Sequence, residues 1–216
     1  MIFRRSRPKP GLLTSRIEAF SDAVFAIAIT LLILEIAVPE LSHAELSQGM
    51  LLERLVELLP KFVSFIISFS IISIFWVGHA IMFHFIARAD RKLMWLNSLV
   101  LMSVAFIPFP AALIGRYAPD TTAVVLYGAT LAVAGIFFAL TWHHASYGRR
   151  LLDEKTPERV VRLGRGVIVV APIVYAIAVC LAFVAPSASI VIYVILPFAY
   201  ILPSPIDDIV EAAAFE

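Results

Sequence analysis

The chain has 216 residues, 61% of them hydrophobic and 15% charged, with a formal net charge of +1 and a mean hydropathy of +0.94. A soluble domain is about half apolar and about a quarter charged, so a water-soluble fold of this size has no way to hide this much apolar surface and the bilayer must act as solvent. The small net charge gives no case for nucleic acid as a partner, and one cysteine, Cys180 in an apolar run, permits neither an intrachain disulfide nor a cysteine metal cluster.

The N-terminal segment is basic, as the start of a signal peptide would be. The apolar stretch after it is longer than a signal core, contains Asp22 and Glu35, and lacks a small-residue cleavage site, so it reads as a retained span. A hydrocarbon core of about 30 Å takes roughly 20 apolar residues as a helix, and such runs fall near 16–37, 58–83, 93–114, 122–146, 166–185 and 188–204. The last is the shortest and is broken by Pro197. The runs are too long and continuous for barrel strands, and backbone groups in lipid must be satisfied within the segment, so helices are required. Residues 1–216 thus read as a single six-span, all-α transmembrane domain with no soluble domain, linker or internal repeat. The stretch 41–59 suits a short amphipathic helix at the outer surface.

Orientation follows from the basic residues. Arg4, Arg5, Arg7, Lys9 and Arg16, then Arg88, Arg91 and Lys92, then Arg149, Arg150, Lys155, Arg159, Arg162 and Arg165 all fall on one side if six spans alternate. The other side keeps Arg54, Lys61 and Arg116 among several acids. Both termini are therefore expected in the cytoplasm, in a multi-pass protein of the cell (plasma or inner) membrane, with the lipid bilayer as its surroundings. The acidic tail (Asp207, Asp208, Glu211, Glu216) carries little weight in this rule.

The first span carries the chemistry. Ser15 and Glu18 have the spacing of a capping box, which gives Glu18 a local role. Asp22 lies about seven residues, roughly 10 Å, inside the helix start. A carboxylate at that depth is costly and needs a partner from another helix. Alternating spans put Trp76 and His79 of the second, and Asn97 and Ser98 of the third, at its depth, predicting a buried polar cluster of Ser21, Asp22, His79 and Asn97 with Trp76 and Arg16 nearby. At 100° per residue Ile27, Leu31 and Leu34 share a stripe, with Thr30 about 60° to its side and Asp22 roughly 140° from Ile27. The stripe suits a pore wall or ordinary helix packing, and periodicity does not separate the two.

Arg16-Ile-Glu-Ala-Phe20-Ser21-Asp22 matches the R-x-x-x-F-S-D signature of the transmembrane protein 175 potassium-channel family, and the continuation to Glu35 resembles that family's first helix. Trp76, His79 and the 97–110 stretch are similar to its second and third spans; the specific resemblance covers about the first half of the chain. It implies a six-helix subunit assembling as a homotetramer around a central axis. Its pore would be lined by the first helix and narrowed by rings of Ile27, Leu31 and Leu34, with Thr30 as a polar ring. Arg16, Phe20, Ser21, Asp22, Trp76, His79, Asn97 and Ser98 would form the network that holds the helix. The expected function is passive K+ conduction, with no cofactor or metal beyond the permeating K+, and with the chain itself as partner.

There is no T-V-G-Y-G filter, so carbonyl coordination of that kind is excluded. A proton-coupled transporter or proton leak using Asp22, His79 or His84 is the alternative; its drawback is that the broken spans (Pro108, Pro110, Pro197) do not occupy matching positions. No H-E-x-x-H, G-x-S-x-G or nucleotide loop supports an enzyme, and His143 and His144 read as interfacial.

Overall fold

The computed structural model describes residues 14–202. Arg4, Arg5, Arg7 and Lys9, the acidic tail, and the last two positions of the run expected to end at 204 lie outside the described residues. Continuous apolar sequence is answered by helix almost throughout, because a helix satisfies its own backbone where no water can. In chain order the helices are α1 (Thr14–Leu34), α2 (His43–Ser47), α3 (Leu51–Glu57), α4 (Leu59–His84), α5 (Arg91–Phe106), α6 (Pro108–Tyr117), α7 (Thr121–Ser146), α8 (Glu158–Ala182) and α9 (Pro186–Ile201).

Five helical stretches are long and apolar enough to cross a membrane: α1, α4, α5 with α6, α7 with the 3-10 turn after it, and α8. This is a multi-pass, all-helical membrane protein. The expected sixth span corresponds to α9, which is apolar but has 16 residues. That is about 24 Å of helix at 1.5 Å per residue, short of a core of about 30 Å. The third span is broken at Ile107 because Pro108 has no N–H to give to the preceding turn. There the Ile107 N–H bonds the Val104 carbonyl at 3.1 Å, a tightened last turn. The expected amphipathic stretch resolves into α2 and α3. Ser42 and Glu45 form a capping box at the start of α2, and Arg54 of α3 pairs with Glu45 at 3.2 Å. Bonds from the Ser42 backbone and hydroxyl and from Arg54 hold the Glu45 carboxyl down at about 2. The capping box expected of Ser15 and Glu18 does not form: Ser15 lies inside α1, whose described part begins at Thr14.

α7 is the central post, packing along α8 and also against α5, α6 and α9. Two of its glycines allow this closeness. A Cβ at Gly135 would stand 3.1 Å from the Pro172 ring of α8, and one at Gly128 would collide with the Tyr193 hydroxyl. That hydroxyl crosses the space over Gly128 to donate to the Val124 carbonyl at 3.2 Å. At the basic end the α4–α5 and α7–α8 connections are stitched together: the Ala87 N–H donates to the Leu151 carbonyl (2.9 Å) and the Asp153 N–H to the Phe85 carbonyl (3.0 Å). The outcome for function is the placement of α1, which packs on α4, α5 and α6 along one side only.

Candidate functional site

The buried residues of α1 are Ser21, Phe25, Ala28 and Leu32. Their spacing of four, three and four residues makes a single narrow stripe. At its basic end, three side chains from three helices form a chain of hydrogen bonds. Asn97 of α5 donates through Nδ2 to the Ser21 hydroxyl at 3.0 Å, and its Oδ1 lies 2.9 Å from Nε2 of His79 on α4. With the amide in this orientation its oxygen must accept, so Nε2 carries the histidine proton. Ser21 is 0%, His79 1% and Asn97 3% exposed. Burial this complete is tolerable only because each polar group is answered. Aromatic rings close the site: Phe25 meets His79 edge-on at 5.5 Å and Phe83 stacks on it at 4.4 Å.

Asp22 departs from the expected cluster. It is exposed on the flank of α1, and its Oδ1 accepts from Nε1 of Trp76 on α4 at 2.9 Å. The reason is angular. Asp22 follows Ser21 by about 100° around the helix, so both residues cannot enter the same helix–helix seam. Three further residues assigned to the network stand apart from it. Arg16 is exposed, Phe20 is 61% exposed, and Ser98 is exposed with its hydroxyl returned to the Met94 carbonyl of its own helix at 2.9 Å.

On the other flank the aliphatic stripe is uncovered. Ile27 is 58%, Leu31 41% and Leu34 73% exposed in the single chain. Thr30 is exposed beside them and its hydroxyl donates to the Ile27 carbonyl at 2.9 Å. The helix is thus held on one side and its opposite flank is left for something else.

Sequence reasoning does not find several further polar contacts. Ser64 and Ser68, one turn apart on α4, bond the Ala111 carbonyl (2.7 Å) and the Tyr127 hydroxyl (2.9 Å); their spacing inside an apolar run is the one signal that points to them. At the basic end Asp90 caps α5 by accepting the Leu93 N–H at 2.8 Å, and meets His144 at 3.0 Å and Arg150 at 3.3 Å. Partial burial pushes the Asp90 carboxyl up, but the Leu93 N–H, His144 and Arg150 together hold it below the ordinary carboxylate value. Among the described residues no group of three His, Cys, Asp or Glu side chains converges as a metal site would require.

The family model described as Endosomal/lysosomal potassium channel TMEM175 matches residues 16–108, the stretch that holds both the hydrogen-bonded chain and the aliphatic stripe. A protein of Chamaesiphon minutus named as a potassium channel is 38% identical over 195 residues, covering 88% of this chain and 95% of that protein. The crystal structure of a lysosomal potassium-selective channel TMEM175 homolog from the same organism superposes with a TM-score of 0.77 at 34% identity, over 87% of this chain and 96% of that one. A Gallus gallus protein named as an endosomal/lysosomal proton channel TMEM175 is 33% identical over 144 residues, 65% of this chain and 28% of the longer protein. With the match in identity, length and fold, the chain belongs to the TMEM175 family of ion channels.

Proposed function

We propose that the chain is the subunit of a potassium-permeable channel, a six-span homotetramer in which α1 lines a central pore and both termini face the cytoplasm. The observation that carries this reading is the asymmetry of α1. The Ser21–Asn97–His79 chain and the Asp22–Trp76 bond fix it to α4 and α5, while Ile27, Leu31 and Leu34 are left largely exposed by the described residues. Four such helices around an axis would bring the three aliphatic side chains into stacked rings. A ring of branched apolar side chains is dry when narrow and passes ions only when it dilates. A cation crossing it must shed water, and K+ gives up hydration more cheaply than Na+, so the constriction favours K+ modestly. The Thr30 hydroxyl, whose proton is given to the Ile27 carbonyl, keeps its oxygen lone pairs for a passing cation. The crowding of Arg88, Arg91, Lys92 and the basic residues of the α7–α8 connection at one end supports a cytoplasmic assignment for that end.

Proton passage is the second reading, favoured by the name of the Gallus gallus relative. The residues speak against a relay through Asp22 and His79: the first is bonded to Trp76 away from the aliphatic stripe and the second is enclosed between Phe25 and Phe83. Protons crossing the same α1-lined pore would need neither. Purified protein in liposomes, read in parallel with K+, Na+ and pH-sensitive dyes, separates these cases. Passive K+ flux exceeding Na+ flux is the expected result. Flux that saturates and is coupled to protons at fixed stoichiometry would replace the channel with a transporter.

A further inference from the structure

α8 packs on α7 and α9 but stands off α4, and the gap is an open cavity of about 670 Å3 at the basic half of the bundle. Ile81 of α4 and Phe85 just after it, Trp142 of α7, Leu163 and Gly164 of α8, and Tyr200 of α9 are among its walls. The volume lies within the range of cavities that enclose a small-molecule ligand, about 300–1,000 Å3, and the walls are overwhelmingly apolar.

One wall group is out of keeping. Trp142 is 3% exposed, yet its Nε1 has no hydrogen-bond partner among the described residues. The nitrogen lies packed against Gly164, another wall residue, where even a Cβ would come within 2.7 Å of it. A buried N–H without an acceptor costs what a lost hydrogen bond costs, so the arrangement calls for an acceptor from beyond the described residues. Trp142 lies four residues before Ser146, the last of α7, or about 6 Å along the axis. That is the depth at which lipid tails give way to ester and phosphate groups, where a tryptophan sets its ring in hydrocarbon and its N–H against something polar.

The charge at the mouth selects among lipids. Residues 84–93 and 147–165, the two connections at this end, hold nine Lys and Arg against four Asp and Glu. Arg88 and Arg159 stand three and one positions from the wall residues Phe85 and Val160, are exposed, and form no ion pair among the described residues, although Asp90 and Glu158 are their nearest acids in sequence and Asp90 is engaged by His144 and Arg150. Such a patch attracts anionic headgroups.

We propose that this cavity is a binding site for an anionic phospholipid of the leaflet at the basic end, with an acyl chain between α4 and α8, an ester or phosphate oxygen accepting from Trp142 as its contact with Gly164 opens, and the headgroup held by Arg88 and Arg159. The proposal rests on the membrane orientation given above for calling that leaflet cytoplasmic, and on nothing about the pore.

Native mass spectrometry of the full-length protein in detergent, with dioleoyl phosphatidylglycerol and dioleoyl phosphatidylcholine added in equal amounts, tests it. Wild type retains phosphatidylglycerol in preference. Trp142→Phe lowers that retention about three- to tenfold, the factor carried by one hydrogen bond. Arg88→Gln with Arg159→Gln abolishes the preference between the two lipids, and Ser73→Trp, a substitution at another wall residue, excludes both. Equal retention of the two lipids by wild type overturns the proposal. So does undiminished phosphatidylglycerol binding by both Trp142→Phe and Ser73→Trp, or a Ser73→Trp variant that loses subunit association instead of lipid, which would give the cavity to a second copy of the chain. A lipid preference retained in a protein that passes no K+ supports this site while removing the pore reading; K+ flux without lipid preference removes this site alone.

Discussion

Replacing Asn97 with leucine keeps most of the side-chain volume and removes both hydrogen bonds that join α1 to α4 through α5. Nε2–H of His79 and the Ser21 hydroxyl are then left without partners at 1% and 0% exposure. An unanswered buried polar group costs about 1–3 kcal/mol, and hydrogen bonds between membrane helices measure about 0.6 kcal/mol on average with a maximum near 1.7. The sum for two groups is about 2–4 kcal/mol. For a chain of this size about 2–4 °C of melting temperature accompanies each kcal/mol, so Asn97→Leu should melt roughly 5–15 °C below wild type. Ser21→Ala removes one bond and should cost about 1 kcal/mol, but almost nothing on the Asn97→Leu background, because the partner is already gone. The assay is fluorescence-detected thermal unfolding of purified protein in one detergent at one scan rate, since membrane proteins often unfold irreversibly. An Asn97→Leu protein melting within about 2 °C of wild type, or additive costs in the double variant, would refute the claim that this chain of bonds seats α1.

Gly128→Ala should destabilise the α7–α9 contact by about 1–3 kcal/mol through overpacking, because the new methyl meets the Tyr193 hydroxyl. Tyr193→Phe in the same background should restore part of the melting temperature, and a lack of rescue would place the clash elsewhere. Asp90→Asn keeps a capping side chain but loses the charge that faces His144 and Arg150. The folded-state pKa of Asp90 lies below its unfolded value near 4, so its ionised contribution is complete above that value and is lost as pH falls through the folded one. Wild type should exceed Asp90→Asn in stability at pH 6, by about 1 kcal/mol or less for so exposed a pair. The gap should close on acidification towards pH 3; one that widened instead would reverse the assigned direction.

Depth alone is enough to bring Ser21, His79 and Asn97 together from the sequence, because alternating spans fix which residues share a level and buried polar groups at one level seek each other. Depth does not fix azimuth. Asp22 shares the level but turns out of the seam and so leaves the cluster that depth predicts for it, and Ser98, at the same level, bonds its own helix. The aliphatic stripe is legible as a stripe, yet its exposure is not, since Ile27 and Leu31 would look the same in a core. Hydropathy also misjudges the start of α8: the helix begins at Glu158, eight residues ahead of the apolar run, because Arg159, Arg162 and Arg165 are helical without being apolar. The cavity beside Trp142 leaves no mark in the sequence, because a gap between α4 and α8 belongs to the packing of four helices and to none of them singly.

The central claim is that Ile27, Leu31 and Leu34 face the permeating ion. Its most direct test is K+ and Na+ flux through Ile27→Asn protein in liposomes beside wild type, with protein incorporation matched. A polar ring in place of an aliphatic one should hold water, so K+ flux is predicted to rise and the K+ over Na+ preference to fall. Unchanged flux and unchanged preference in Ile27→Asn, with the protein folded and incorporated, would contradict the claim and move the pore away from α1.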